Sequence, residues 1–97
     1  MTFGIVIDVA APIEFYDKAH AEITRRITGK VEGLICHVGR ATPTGVQILE
    51  IWESKEQYEQ YAQEKIGPYT QQVGIPGPPR ITFYDVHNYQ VASVLTK

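Results

Sequence analysis

From Phe3 to Val9 the chain reads Phe-Gly-Ile-Val-Ile-Asp-Val, β-branched and apolar at odd and even positions alike. That pattern suits a strand covered on both faces. Pro12 then falls where a first helical turn tolerates it, and Ile13, Tyr16, His20, Ile23 and Ile27 recur at spacings of 3, 4, 3 and 4. They share one helix face, and Gly29 is expected to stop the helix. Glu14, Lys18, Glu22 and Arg25 fall on the opposite, solvated side, with Glu14 and Lys18 spaced for an i,i+4 pair.

Gly33 to Arg40 reads as a second strand, Ala41 to Gly45 as a five-residue turn, and Val46 to Glu53 as a third strand closing a hairpin. Ser54-Lys55-Glu56-Gln57 has the form of a capping box, in which the Ser hydroxyl and the Gln side chain each satisfy a free N–H of the first helical turn. The helix it opens is predicted to run to about Ile66. Tyr58, Tyr61, Ala62, Lys65 and Tyr69 lie on or beside one face if the turns carry past Gly67-Pro68. The prolines of Gly74 to Pro79 remove donors and fix φ, so this segment is an extended connector into a last strand, Arg80 to Tyr89. The tail from Gln90 to Lys97 keeps Val91, Val94 and Leu95 and is expected to dock, with a partner subunit as one surface for it.

The order strand, helix, strand, strand, helix, strand predicts an α+β fold. It is the ferredoxin-like βαββαβ arrangement, a four-stranded antiparallel sheet with two helices on one face. Because the strands look apolar on both parities, the face without helices also needs a cover, and the same face of a second copy supplies one. A homodimer is therefore expected, with a dry hollow on the helix side of each sheet.

Length and composition narrow the function. Ninety-seven residues, 43% hydrophobic and 21% charged, leave room for one domain spanning 1–97 and none for a separate cofactor domain. The net charge of −2, with no basic cluster beyond Arg25-Arg26, lacks the electrostatic footprint of nucleic-acid binding. The apolar stretch from Phe3 to Ile13 is broken by Asp8 and Pro12 and falls short of the roughly 20 residues needed to cross a bilayer, so no membrane span is expected. A single cysteine, Cys36, and an N-terminus without the positive charge of a secretory signal point to the reducing cytoplasm.

The histidines and tyrosines are the candidates for chemistry. His20 stands in the apolar stripe of the first helix and should point toward the sheet, as a buried neutral ring or as a base in a pocket between helix and sheet. His37, on the second strand, shares its parity with Ile35, and structural and site roles both fit it. His87, near the end of the last strand, reads as an edge or interface residue. No histidines or carboxylates have a metal-ligand spacing, so no metal site is expected. Trp52 closes the third strand as a core anchor or a pocket wall. Tyr58 and Tyr61 must find partners for their hydroxyls, which in a small core can be a ligand or a histidine. Cys36 has no neighbours in sequence that would make it a reactive thiolate, and no phosphate loop or nucleophile elbow is present.

The segment Ile51-Trp52-Glu53-Ser54-Lys55-Glu56-Gln57-Tyr58-Glu59-Gln60-Tyr61 resembles the strand-to-helix junction of the dimeric α+β barrel superfamily, in its antibiotic biosynthesis monooxygenase-like branch. The resemblance extends over nearly the whole chain in element order, and this junction is its specific part. It implies a homodimer with a ligand pocket between sheet and helices. In that superfamily the position seven residues after the Glu-Ser pair carries a pocket residue, here Tyr61. The haem-degrading pattern asks for a histidine ten residues further on, where this chain has Gln71, and for an asparagine on the first strand, which has none. The cyclase pattern asks for a histidine after the second helix, where Gly67-Pro68-Tyr69-Thr70 offers no imidazole.

What the resemblance implies is a small enzyme of the cofactor-independent monooxygenase kind, acting on a phenolic, quinol or polyketide-like aromatic substrate without flavin, haem or metal. His20 or His37 would be the base, Tyr61 would donate to developing charge, and Trp52, Tyr58 and Tyr69 would hold the ring. Two alternatives share the pocket. One is a polyketide cyclase-type ring closure, and the other is a non-catalytic dimeric protein that binds a small hydrophobic ligand.

Overall fold

The computed structural model describes residues 2–27, 30–74 and 79–89. In chain order the elements are β1 (Phe3–Val9), α1 (Ile13–Arg26), β2 (Leu34–Thr42), β3 (Gly45–Trp52), α2 (Lys55–Tyr61), α3 (Gly67–Val73) and β4 (Arg80–Asp85), with a π-helical turn, Ala62–Ile66, joining α2 to α3. The strands form one antiparallel sheet in the order β2-β3-β1-β4. This is the ferredoxin-like topology expected from the element order, with both helical layers over one sheet face.

Register decides which residues meet the helices. Phe3 pairs with Trp52, Ile5 with Glu50, Ile7 with Ile48 and Val9 with Val46, and side chains at these paired positions share a face. Phe3, Ile5 and Trp52 form the buried core of that face. Around them Tyr58 and Phe83 make edge and tilted contacts with ring centroids 5.7 to 6.1 Å apart. This end of the layer is solid with aromatic rings. The other end is not, because α1 has no fully buried residue and stands off the sheet.

Several local expectations are corrected by the structure. The hairpin joining β2 to β3 turns on Pro43-Thr44 alone, so the turn is two residues and not five. Gly45 belongs to β3, at φ 154, where a side chain would collide with the backbone of Val9 and Ala10. The second helix does not end before Gly67-Pro68. Proline cannot donate to the carbonyl four residues back, and its ring crowds that carbonyl. The helix widens instead into a π turn, with Gly67 N–H bonded to Ala62 O. The inserted residue brings Tyr69 back onto the inner face, where it is buried.

β4 ends at Asp85, four residues before the expected Tyr89, and His87 is exposed beyond it. On the outer face of α1, Glu22 pairs with Arg25 and with Arg26, and no Glu14–Lys18 pair forms among the described residues. The capping box is half made. Ser54 Oγ accepts from Gln57 N–H at 3.2 Å, but the Gln57 side chain lies over Gly33 and accepts the Ser54 hydroxyl at 2.9 Å. The expected helix stop at Gly29, most of the Pro-rich connector and the docking tail from Gln90 to Lys97 lie outside the described residues.

The face without helices carries Val6, Cys36, Val38, Leu49, Ile51 and Tyr84. Val38 and Tyr84 are 47% and 42% exposed. Tyr84 lies across Gly4, the one position of β1 where the absence of a side chain leaves it room.

Candidate functional site

Where α1 stands away from the sheet, a cavity of about 590 Å³ opens. Its floor is Ile7, Val9, Val46, Ile48 and Glu50 from the sheet, its roof is α1, and its far wall is Tyr58, Tyr61, Ile66 and Tyr69. The volume falls within the range of small-molecule sites, roughly 300 to 1,000 Å³. The lining is mostly aliphatic and aromatic, and no Lys or Arg is among the lining residues. An uncharged ligand fits such a wall, and no Lys or Arg side chain of the lining stands ready to pair with an anionic one.

The polar groups gather at one side. A register irregularity between Leu34 and Cys36 shifts the pairing of β2, so that Leu34 faces Trp52 and His37 faces Glu50. The bulge overrides the simple alternation that placed His37 with Ile35. Leu34 and His37 both line the cavity, whereas Ile35 does not. Glu50, only 6% exposed, accepts the Trp52 indole N–H at Oε1 over 2.9 Å and meets His37 Nδ1 at Oε2 over 2.6 Å. His37 Nε2 is 2.7 Å from the Tyr16 hydroxyl.

Donor and acceptor identities order this chain. An indole N–H only donates, a carboxylate only accepts, and so His37 gives its Nδ1 proton to Glu50. Nε2 is left to accept from Tyr16 O–H, which makes His37 an oriented, carboxylate-backed base. Burial, then the nearby Glu50 charge, raises the Tyr16 hydroxyl above the usual phenol range and keeps its proton on.

The candidate residues are distributed as follows. His37 is in the hydrogen-bonded chain. His20 lines the cavity from the rim of α1 and is largely exposed, its ring 5.5 Å from that of Tyr16 and 5.4 Å from that of His37. Tyr61 lines the far wall, its ring 5.4 Å from Trp52, and burial followed by the Glu50 and Tyr16 charges pushes its hydroxyl up to about 12. Tyr58, also on that wall, is raised by burial and by Glu50. Neither hydroxyl has a hydrogen-bond partner among the described residues, so both are free to donate to a ligand. Tyr69 closes the wall from α3 beneath the Arg26 guanidinium. Trp52 is fully buried, lines none of the cavity, and acts on it through Glu50.

Tyr16 and Glu50 were not among the residues singled out from sequence. Tyr16 sat in the apolar stripe of α1. Glu50 has the same strand parity as the core residue Trp52, and a carboxylate at a core parity was the available signal. Among the described residues no three His, Cys, Asp or Glu side chains gather as a metal would require, and no helix is long and apolar enough to cross a membrane.

Sheet order, register and helix placement define an α+β protein of the ferredoxin-like class with a ligand-sized cavity between its layers. No family model matches the sequence, and no curated protein sequence matches it. Solved structures do. A "putative antibiotic biosynthesis monooxygenase" from Caulobacter crescentus CB15 superposes with a TM-score of 0.69 at 16% identity, over 90% of this chain and 91% of that one. A protein of the same description from Chloroflexus aurantiacus J-10-fl gives 0.68 at 14%, over 94% and 98%. A conserved protein from Methanosarcina mazei Go1 gives 0.69 at 14%, over 88% and 92%. The chain therefore has the fold of the antibiotic biosynthesis monooxygenase-like proteins.

Proposed function

We propose that the protein is a small-molecule enzyme that takes a proton from an uncharged phenolic, quinol or polyketide-like aromatic ligand, in the manner of a cofactor-independent monooxygenase. The carrying observation is His37, held between the Glu50 carboxylate and the Tyr16 hydroxyl at the wall of an apolar cavity. Removing the proton leaves an electron-rich anion that can hand an electron to dioxygen, and the apolar walls keep water from competing. Tyr61, held protonated far above neutral pH, donates a hydrogen bond to oxygen as negative charge develops there. His20 at the rim and Tyr58 and Tyr69 on the wall hold the ring. The names of the superposed structures support the oxygenase reading.

The protein works as a homodimer through the exposed apolar face of its sheet, the face that carries the single thiol, Cys36, and does so in the reducing cytoplasm. The test is oxygen uptake with hydroquinone or anthrone. Consumption is expected with the intact protein and a loss of roughly 10²- to 10⁴-fold with His37→Gln. No uptake with any such substrate overturns the oxygenase reading. Turnover that is independent of oxygen would identify the cyclase-type reaction, for which the protonated Tyr61 is an equally apt carbonyl donor.

A further inference from the structure

Both nitrogens of His37 are occupied. Nδ1 is held by Glu50 at 2.6 Å and Nε2 by Tyr16 at 2.7 Å. A ligand entering the cavity cannot reach the imidazole lone pair without first displacing the Tyr16 hydroxyl. The hydroxyl itself has spent its one proton on Nε2 and keeps lone pairs to accept from elsewhere. Tyr16 lines the cavity, so those lone pairs are within reach of a ligand O–H.

The reason Tyr16 can lie there is a gap in β2. Gly39 follows His37 on the same face of the strand, opposite Ile48. A methyl group built on Gly39 would overlap the Tyr16 ring carbon and its hydroxyl. Only a residue without a side chain lets the ring settle flat on the strand, with its oxygen at Nε2.

From this arrangement we infer that Tyr16, not His37, is the group that meets the ligand, relaying the ligand's proton to His37, and that Gly39 is the positioning residue that seats it. The step balances without a further reactant. The ligand O–H bond breaks and its proton goes to Tyr16 Oη as the Tyr16 proton passes to His37 Nε2. The outcome is a ligand anion, an intact Tyr16 phenol, and an imidazolium paired with the Glu50 carboxylate. Burial of Tyr16 favours this concerted transfer, because a standing tyrosinate is disfavoured there. The other ionisable groups around the cavity are His20 on α1 and Tyr58, Tyr61 and Tyr69 on the far wall, and none of them bonds to either end of the relay.

The inference rests on the proton-removal reading above, and it can be tested without turnover. The probe is 4-nitrophenol, whose anion absorbs in the visible. Bound to the wild-type protein it should ionise at least tenfold more than free probe at the same pH. His37→Gln should abolish that shift. Tyr16→Phe should abolish it too, and so should Gly39→Ala, which keeps every polar group and moves only the ring. If Tyr16→Phe or Gly39→Ala retains the tenfold shift while His37→Gln loses it, His37 meets the ligand directly, and the relay fails while proton removal stands. If the wild type does not bind the probe, or binds it without a shift, both are overturned.

Discussion

Replacing Glu50 by Gln separates the charge of this side chain from its shape. In the wild type Oε1 accepts from Trp52 and Oε2 from His37 Nδ1. The indole can only donate, so the amide has to turn its carbonyl to Trp52 and its NH₂ to His37. Nδ1 then becomes an acceptor, the ring proton moves to Nε2, and Nε2–H donates to Tyr16 where it formerly accepted. The imidazole loses its basic nitrogen toward the cavity with no heavy atom displaced. Two charge-assisted bonds of about 1.5–3 kcal/mol become neutral bonds of about 0.5–1.5 kcal/mol, a loss of roughly 2 kcal/mol together. The amide also avoids burying a charge, which offsets part of this. For a domain of this size the melting temperature should fall by no more than about 8–16 °C. Proton-transfer activity should fall much further, by roughly 10²- to 10⁴-fold. Nitrogen-15 NMR of the histidine side chains reads the tautomer directly, alongside thermal melts and oxygen uptake. A His37 that still carries its proton on Nδ1 in the variant would refute the reasoning.

Alkaline titration should show Tyr61 ionising at about 12, against 10.0 for a free phenol, by absorbance near the tyrosinate band. Because the folded state holds this proton more tightly than the unfolded one, stability is intact below about 10 and declines as pH climbs toward 12. Tyr16 and Tyr58 act in the same direction, and urea melts that are flat across that window would contradict it. On the open face of the sheet, Val38→Asp should raise the dimer dissociation constant by a hundredfold or more, since an unpaired carboxylate would be buried there at a cost of several kcal/mol. Sedimentation velocity of the two proteins reads this, and identical profiles count against the face as the interface. Gly33 has φ 87 and lies beneath the Gln57 side chain, so Gly33→Ala should cost about 2 kcal/mol and lower the melting temperature by roughly 8–16 °C.

Much of the fold was legible because its signals are local. The stripe from Ile13 to Ile27 has helix spacing, and the Ser54 cap marks where α2 begins. The failures needed longer-range information. A proline at position 68 reads as a stop, and only the compensating π turn, held by Gly67 and Ala62, lets the helix pass it and bury Tyr69. The hairpin looked longer than it is because Gly45 reads as a turn residue, when it is the glycine that lets β3 begin against the end of β1. The site was harder still. Glu50 is a carboxylate at a core parity of β3, but its pairing with His37 depends on a bulge that no parity count contains. Tyr16 looked like one more core ring, because the feature that distinguishes it, Gly39, lies on another element.

The same contact that orders the candidate site also ties α1 to the sheet. Helix α1 buries no residue fully, and among the described residues the Tyr16–His37 hydrogen bond is the one that joins it to the strands, the Arg26–Gln72 contact reaching α3. A ligand hydroxyl that engages Tyr16 therefore acts on the roof of the cavity as well as on the proton path. Losing one hydrogen bond of about 0.5–1.5 kcal/mol should speed local opening by roughly 2- to 10-fold. In Tyr16→Phe the amides of α1 should exchange faster by that factor while those of β1 and β3 keep their protection. If α1 exchanges at the wild-type rate, the roof is held by its apolar contacts alone, and entry to the cavity has to be explained without Tyr16.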